Sequence, residues 1–254
     1  MFKQKLFIFL SLFSIFLLVG CSTTTPIQAS NTNYWDHHFI YPMSLLIIYI
    51  ANTWVYHSFG FAIMIVTVGV RMMLTPLNII QYKNQLNMKR IQPELQKIKE
   101  KYSTKNTTDQ QQYQLEMMEL LQKNKANPII GCLPILVQLP IFSVVYYAIR
   151  QTEEISTASF LWLNLGHSDP YFILPIIAAL TTYLQSKIMS ADMPKEHQSQ
   201  VKLTQAMSPI MILCFCLFSP AGLVLYWITG NVFMIVQTVI LKKIFGKVPV
   251  VISE

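Results

Sequence analysis

Arg71 stands in the middle of an apolar stretch, residues 60–80, where it is the only charged residue. Stretches of about twenty apolar residues are long enough to cross the hydrocarbon core of a bilayer. An arginine at that depth costs roughly 3 kcal/mol on insertion scales. None of the twelve acidic residues lies in an apolar stretch where it could pair with Arg71. We therefore expect water around it, in a positively charged intramembrane cavity that attracts anionic groups.

Further polar side chains recur within the apolar stretches. Thr67 and Thr75 lie four residues before and after Arg71, so the three share one helix face. The other candidates are Gln138, Gln185 (four residues after Thr181), Trp227 and Asn231. If these faces point inward, they line one hydrophilic groove around Arg71. For Thr75, Gln138 and Asn231 the alternative is a hydrogen bond between neighbouring helices, which is common in membrane bundles.

The sequence carries no pattern typical of an enzyme. The five histidines lack ligand spacing, and Cys214 and Cys216 point in different directions on a helix, so they cannot share a metal. There is no phosphate-binding loop, nucleotide motif or nucleophile arrangement. We expect no catalytic residue, no metal, no direct contact with nucleic acid, and no cofactor apart from the N-terminal lipid described below.

Composition and hydropathy indicate a membrane protein. The chain is 53% hydrophobic and 12% charged, with a mean hydropathy of +0.41. Its apolar stretches predict an all-α membrane protein with five transmembrane helices around a hydrophilic groove. The predicted spans are about 60–80, 129–149, 171–189, 206–219 and 221–241. The last two come from one apolar run that is too long for a single crossing and is broken at Pro220.

Residues 1–20 are typical of a signal peptide, with Lys3 and Lys5 before an apolar core. The four residues 18–21, Leu-Val-Gly-Cys, resemble the bacterial lipobox, in which the cysteine thiol receives a diacylglycerol. We therefore expect cleavage before Cys21 and lipidation of its side chain. The alternative, an uncleaved first transmembrane helix, is disfavoured by the polar segment that follows at once.

The charges of the loops predict an orientation. The loop 81–128, the residues around Lys195 and Lys202, and the tail are basic, whereas the loop 150–170 is acidic. Basic segments stay in the cytoplasm. A lipid-anchored Cys21 also requires a start outside, and the two arguments agree. We expect a multi-pass protein of a bacterial plasma membrane with a short cytoplasmic tail, residues 246–254.

One apolar segment, residues 39–59, is ambiguous. As a transmembrane crossing it would reverse every later loop and place the basic loop outside. Pro42, Trp35 and Trp54 suit a helix that lies in the outer interface instead. We therefore assign residues 21–58 to an outer segment with an interfacial helix, and residues 59–245 to the five-span core.

Residues 82–126 predict a cytoplasmic hairpin of two antiparallel helices joined by a polar turn. Apolar residues recur at helical spacing in both halves, at Ile91, Leu95 and Ile98 and then at Leu115, Met118 and Leu121. Its lysines either only enforce the topology or make the hairpin a docking arm for anionic lipids, a ribosome or a nascent chain.

Two proline-containing motifs carry a family resemblance. Residues 127–142 read NPIIGCLPILVQLPIF, and residues 218–231 read FSPAGLVLYWITGN. Together with Cys21, Arg71 and the basic hairpin, they resemble the YidC/Oxa/Alb family of membrane protein insertases. The lipoprotein form with five spans is similar to the Gram-positive YidC type. The resemblance covers about residues 41–245.

The resemblance implies a groove that is open to cytoplasm and lipid, closed outside, and lined by Thr67, Gln185 and Trp227. Arg71 would help to draw in the hydrophilic segment of a client. It further implies insertion and folding of nascent membrane proteins, alone or with the Sec translocon and the ribosome, without nucleotide hydrolysis. From the residues alone, a transporter for small solutes or anions stays open, with Arg71 as the counter-charge.

Overall fold

The computed structural model describes residues 34–102, 107–190 and 198–245. The predicted signal peptide, Cys21, the tip of the hairpin and the tail 246–254 lie outside the described residues, as does Lys195. Statements about orientation and lipidation that depend on those segments stay predictions.

The described elements are helices, apart from two short strands. In chain order they are a π-helical turn Asp36–Ile40, α1 Tyr41–Trp54, α2 Phe59–Met73, α3 Thr75–Arg90, α4 Gln92–Lys101, α5 Thr107–Lys123, α6 Pro128–Gln151, α7 Glu153–Ser156, α8 Ile173–Ser190, α9 Gln198–Leu217 and α10 Ala221–Phe245. The antiparallel strands β1 Ser159–Phe160 and β2 Leu163–Asn164 lie between α7 and α8. The all-α membrane fold is confirmed.

Helix α10 lies at the centre of the bundle. It packs against α2, α3, α6 and α8. Buried residues are distributed along it from Ala221 to Leu241. Val232 and Val236 are exposed on the side that no helix covers. Helix α10 is therefore enclosed on most, but not all, of its surface.

Prolines mark two helix breaks. Pro220 separates α9 from α10, as the sequence predicts. The predicted span 60–80 contains two helices that meet at Leu74, with Pro76 in the first turn of α3. A proline fits at a helix start because its missing N–H would have no partner there. The hydroxyl of Thr75 still donates to the carbonyl oxygen of Arg71 at 3.1 Å, so the four-residue stacking persists across the junction.

Helices α1 and α2 do not form one straight segment. Their axes are bent by 117° at the break between Trp54 and Phe59. If α2 crosses the bilayer near its normal, α1 lies closer to the membrane plane than to that normal. One side of α1 packs on the core through Ile47 and Ala51, while Tyr49 is exposed. This geometry supports the interfacial placement of residues 39–59.

By length and composition, α8 and α10 are long and apolar enough to cross a membrane. A third crossing results if the bent pair of Asp36–Trp54 and Phe59–Met73 is counted as one broken span. The apolar part of α9, Gln205–Leu217, is shorter. The structure places a helix over each predicted span, and the number of five crossings stays a prediction.

The loop between α6 and α8, residues 152–172, closes one end of the bundle. We call it the closing loop. Ile155, Leu163 and Leu165 are at most 2% exposed and belong to the main core. The backbone N–H of Ala221 donates to the carbonyl of His167 at 2.7 Å, and that of Gly222 donates to Leu165 at 3.0 Å. These two hydrogen bonds attach the closing loop to the start of α10.

The opposite end of α6 adjoins the hairpin of α4 and α5. The hairpin has a small core of its own, which consists of Ile91, Leu121 and Ala126. The predicted stripe on α5 is wrong in part, because Leu115 is 68% exposed and Met118 55%. Residues three apart are offset by about 60° around a helix, so Leu115 and Leu121, two such steps apart, differ by about 120° and do not share one buried face.

Candidate functional site: polar side chains around helix α10

Arg71 lies in the last turn of α2 and faces α10. A Cβ atom built on Gly230 would lie 2.8 Å from Nη2 of Arg71 and 3.1 Å from its Nε. The guanidinium thus touches bare helix backbone, which only glycine exposes so closely. Arg71 is half-buried, and no carboxylate of the described residues forms an ion pair with it.

Tyr226, one turn before Gly230, brings helix α6 to the same place. Its hydroxyl accepts a hydrogen bond from Nε2 of Gln138 at 2.6 Å. Tyr226 is buried, and its hydroxyl is close enough to Arg71 for an electrostatic interaction. Gln138 therefore reaches the surroundings of Arg71 through Tyr226, as the alternative of an interhelical hydrogen bond expects.

Thr75 meets α10 further along the same face. Nε2 of Gln237 donates to Oγ1 of Thr75 at 3.0 Å, and Nδ2 of Asn78 donates to Oε1 of Gln237 at 2.9 Å. Gln237 is buried. These two hydrogen bonds connect Thr75, Gln237 and Asn78, and they link α3 to α10.

A neighbouring face of α10 holds helix α8. Nδ2 of Asn231 donates to Oγ1 of Thr182 at 2.9 Å and to Oγ1 of Thr181 at 3.2 Å. Nε1 of Trp227 donates to Oγ1 of Thr182 at 3.3 Å. Trp227 and Asn231 thus share a face, as their spacing predicts, and they bridge two helices.

The remaining two candidates differ in exposure. Thr67 is only 1% exposed, and its hydroxyl donates to the carbonyl of Ile63 at 2.6 Å within α2. Gln185 is half-buried on α8, and no described residue hydrogen-bonds to its amide. The amide of Gln185 is therefore without a described hydrogen-bond partner, whereas Thr67 is enclosed by packing.

The structure brings Arg71, Thr75, Gln138, Trp227 and Asn231 to the circumference of one helix. A water-filled groove between them stays a prediction. Four contributors to the site were not among the predicted site residues: Thr182, Tyr226, Gly230 and Gln237. A usable signal existed for three of them, because positions 226, 230 and 237 follow one helix face.

The closing loop seals the end of this cluster where α10 begins. A Cβ atom on Gly222 would lie 3.2 Å from Ile63 and Ile149 and 3.3 Å from the carbonyl oxygen of Leu165. Three elements therefore converge closely on one glycine, and an added methyl group would have to push them apart by a few tenths of an ångström. An apolar core this dense leaves little room for water at that end.

Comparison with known proteins gives concordant matches. The family model described as 60Kd inner membrane protein matches residues 50–247. The membrane protein insertase YidC 1 of Bacillus cereus is 51% identical over 241 residues, covering 94% of this chain and 93% of its own. The membrane protein insertase MisCA of Bacillus subtilis is 43% identical over 242 residues, covering 94% and 92%.

A solved structure shows the same fold. The crystal structure of an active YidC insertase, with its first transmembrane domain resolved, matches with a TM-score of 0.63 at 26% identity. The match covers 81% of this chain and 46% of that longer one. Together with the apolar helices, these relatives make the chain a multi-pass protein of the cell membrane. Because the family model covers most of the sequence and the relatives align over nearly all of it, the chain belongs to the 60Kd inner membrane protein family, which includes the YidC membrane protein insertases.

Proposed function

We propose that the chain is a membrane protein insertase that inserts nascent membrane proteins and helps them to fold. The observation that carries this proposal is the contrast between Arg71 and its neighbours. The buried amides of Gln237 and Asn231 have hydrogen-bond partners, whereas Arg71 lies against Gly230 without a described carboxylate partner. A cation in a membrane bundle is costly unless water or a bound group reaches it.

The proposed mechanism is electrostatic capture followed by partition into lipid. A short polar flank of the client, often acidic, is attracted to Arg71, where the surrounding low dielectric strengthens the interaction. The apolar helix of the client then moves into lipid beside α2, α8 and α10. Hydrophobic partition supplies the free energy, so the mechanism involves no covalent step and no nucleotide hydrolysis.

One structural feature supports a shortened path across the membrane, and a second supports a fixed position for Arg71. The apolar part of α9 has the length of a short span, and a short span favours local thinning of the bilayer. The polar side chains on α10 meet α3, α6 and α8, which holds the bundle together around Arg71. The client therefore faces a shorter hydrocarbon layer beside a fixed positive charge.

The orientation and the lipid anchor belong to the same proposal. Cleavage before Cys21 and a diacylglycerol on its thiol, with further acylation, would tether the N-terminus outside. The C-terminal tail would then lie in the cytoplasm, and the closing loop would lie on the outer side. The acidic charge of residues 150–170 and the basic charge of the hairpin support this arrangement. Relatives from Bacillus, a Gram-positive genus, support the Gram-positive part of this proposal.

The partners proposed are nascent membrane proteins, the Sec translocon, the ribosome and anionic lipids. The hairpin supports the last of these, because Lys97, Lys99 and Lys101 are exposed on α4. Lysines near a membrane surface attract anionic headgroups. The family of the chain favours this function over a transporter of small solutes.

The decisive experiment reconstitutes the purified protein in liposomes with a single-span client that has an acidic outer tail. We expect Arg71→Ala to abolish insertion of this client and Arg71→Lys to retain much of it, because the charge carries the effect. Arg150→Ala, at the closing end of α6, is the matched control and should insert normally. Normal insertion by Arg71→Ala at normal abundance would refute electrostatic capture.

A further inference from the structure

The contact between Arg71 and Gly230 is unusual in what surrounds it. The three atoms nearest to a Cβ on Gly230 all belong to the Arg71 side chain: Nη2 at 2.8 Å, Nε at 3.1 Å and Cζ at 3.4 Å. Gly230 itself is buried in the middle of α10. An added methyl group would therefore meet the guanidinium before it meets any other part of the protein.

Because of this geometry, a substitution at Gly230 should change the position of the positive charge without lowering the stability of the fold. The end of a long arginine side chain can move at little cost, unlike backbone or an enclosed aromatic ring. Alanine also favours a helix interior over glycine by about 1 kcal/mol. A methyl group at position 230 should leave α10 intact and displace the guanidinium.

We propose that Gly230 is a positioning residue, which lets the Arg71 guanidinium rest against α10 beside Tyr226. This inference rests on the proposed function, because it concerns how that charge meets a client. The interaction between a guanidinium and a client carboxylate falls with distance and with hydration. A displaced guanidinium keeps its charge but lies at a different position. We therefore expect reduced insertion of clients with an acidic tail and unchanged insertion of clients with a neutral tail.

The chain offers a matched control on the partner helix. Gly69 lies two residues before Arg71 on α2, and a Cβ built there meets nothing within 4 Å. Gly69→Ala and Gly230→Ala make the same chemical change at two helical glycines. Only the second of them contacts the guanidinium.

A first experiment observes the guanidinium directly. The sequence contains three arginines, Arg71, Arg90 and Arg150, so the full-length protein labelled with ¹⁵N-arginine gives three side-chain Nε signals. Arg90→Lys and Arg150→Lys assign them. We expect Gly230→Ala to shift the Arg71 signal and Gly69→Ala to leave it unchanged. An unchanged Arg71 signal in folded Gly230→Ala would overturn the proposal.

A second experiment measures insertion in liposomes with two clients that differ only in an acidic or a neutral outer tail. We expect Gly230→Ala to lower insertion of the acidic client towards the level of Arg71→Ala, with the neutral client and thermal stability unchanged. In the Arg71→Ala background, Gly230→Ala should have no further effect, since there is no guanidinium to displace. Equal loss for both clients, or a full additional loss in the double variant, would contradict positioning.

The two proposals fail separately in this design. If Arg71→Ala inserts the acidic client normally, electrostatic capture fails, and the ¹⁵N signal still decides whether Gly230 positions the side chain. If Arg71→Ala blocks insertion while Gly230→Ala is normal and shows no shift, capture stands and the role of Gly230 is refuted. Gly230→Ala combined with Arg71→Lys should regain insertion relative to Gly230→Ala alone, because the slender ammonium avoids the methyl group.

Discussion

The closing loop and the hairpin lie at opposite ends of α6 and are built in different ways. The closing loop buries Ile155, Leu163 and Leu165 in the main core and bonds its backbone to the start of α10. The hairpin has a separate, smaller core and leaves Leu115 and Met118 exposed. The closing loop is thus part of the main core, whereas the hairpin packs outside it.

This difference bears on how a client would enter. Segments with few buried apolar contacts open locally at lower free energy than the core does. We therefore expect the hairpin to open at a lower free energy than the closing loop, whose buried residues belong to the main core. The packing therefore favours an entrance on the hairpin side and a seal on the loop side, and both stay predictions.

The largest effect should come from the closing loop. Leu165 is fully buried, so Leu165→Ala leaves a cavity and should lower the free energy of unfolding by about 2–5 kcal/mol. Leu115→Ala, on the exposed face of α5, is the matched change in the hairpin and should have almost no effect. Steric trapping in bicelles measures both. Similar losses in the two variants would remove the distinction between the two ends.

A second prediction concerns the carboxylate that organises the closing loop. Asp169 is buried, and it accepts hydrogen bonds from Nε1 of Trp162 at 3.1 Å and from the backbone N–H groups of Tyr171 at 3.0 Å and Leu174 at 2.7 Å. The last of these caps the start of α8.

Asparagine offers one acceptor oxygen where aspartate offers two. Asp169→Asn should therefore lower the free energy of unfolding by about 1–3 kcal/mol. Glu154→Gln, on the exposed short helix α7, is the control for the lost charge. Steric trapping and Trp162 fluorescence report the change. If Glu154→Gln destabilises the protein as much as Asp169→Asn, the hydrogen bonds of Asp169 are not the cause.

Local signals in the sequence were sufficient to place helices over the predicted spans and to predict the break at Pro220, but not the junction at Leu74. Pro220, in the turn-like sequence from Ser219 to Gly222, predicted the division between α9 and α10. A proline alone is not sufficient, because Pro209 lies inside α9. The isolated charge of Arg71 predicted a candidate site, and its role there stays a prediction. Both signals depend on a few neighbouring residues.

Contacts between helices were beyond the sequence, because they depend on rotation and register. Gln138 and Asn231 were candidates for lining a groove, yet each donates to a side chain of another helix. The contact of Gly230 with Arg71 joins residues far apart in the chain, and no local pattern reveals it. The closing loop is a further example. Its charge predicted an acidic loop, but it did not predict that the apolar residues Leu163 and Leu165 are buried in the main core.

A third prediction tests the attachment of the hairpin. Nδ2 of Asn84 donates to the carbonyl of Asn127, and the backbone N–H of Asn127 donates to Oδ1 of Asn84, both at 2.8 Å. Asn84→Ala should lower the free energy of local opening by about 1–2 kcal/mol, since Asn84 is buried. Hydrogen exchange in α5 should accelerate, with little change in the closing loop.

Asn87→Ala is the control on the same helix, because its amide reaches the carbonyl of Lys125 only at 3.5 Å. A weak hydrogen bond of that length contributes little. If Asn87→Ala opened the hairpin as much as Asn84→Ala, the paired contact with Asn127 would not be its attachment. If Asn84→Ala loosened the closing loop as well, the two ends would not be independent.

The smallest effect should lie in the outer part of the hairpin, where α4 and α5 share an exposed ion pair. Oε1 of Glu116 accepts from Nζ of Lys101 at 2.6 Å and from the hydroxyl of Tyr102 at 2.7 Å. The hydrogen bond from Lys101, and then that from Tyr102, lower the pKa of Glu116 below its ordinary 4.5. The hydrogen bond to Glu116 chiefly raises the pKa of Lys101 above its ordinary 10.5.

The direction of each pKa shift fixes the pH window of this pair. A lowered carboxyl pKa stabilises the fold above the ordinary value of 4.5, and this contribution is lost as the pH falls through the lowered pKa of Glu116. A raised lysine pKa stabilises it below 10.5, and that contribution is lost as the pH rises through the raised pKa of Lys101. Both side chains are exposed to solvent, so the gain is small and screened by salt.

Hydrogen exchange in α4 and α5, corrected for its intrinsic rate, should therefore be level across neutral pH and accelerate below pH 4.5. Glu116→Gln keeps an acceptor for Tyr102 and removes the titrating group, so its exchange should lose most of this acid dependence. High salt should mimic the variant at neutral pH. If Glu116→Gln showed the same acid acceleration as the unmodified protein, the hairpin would open in acid for another reason, and its small apolar core would alone hold the two helices together.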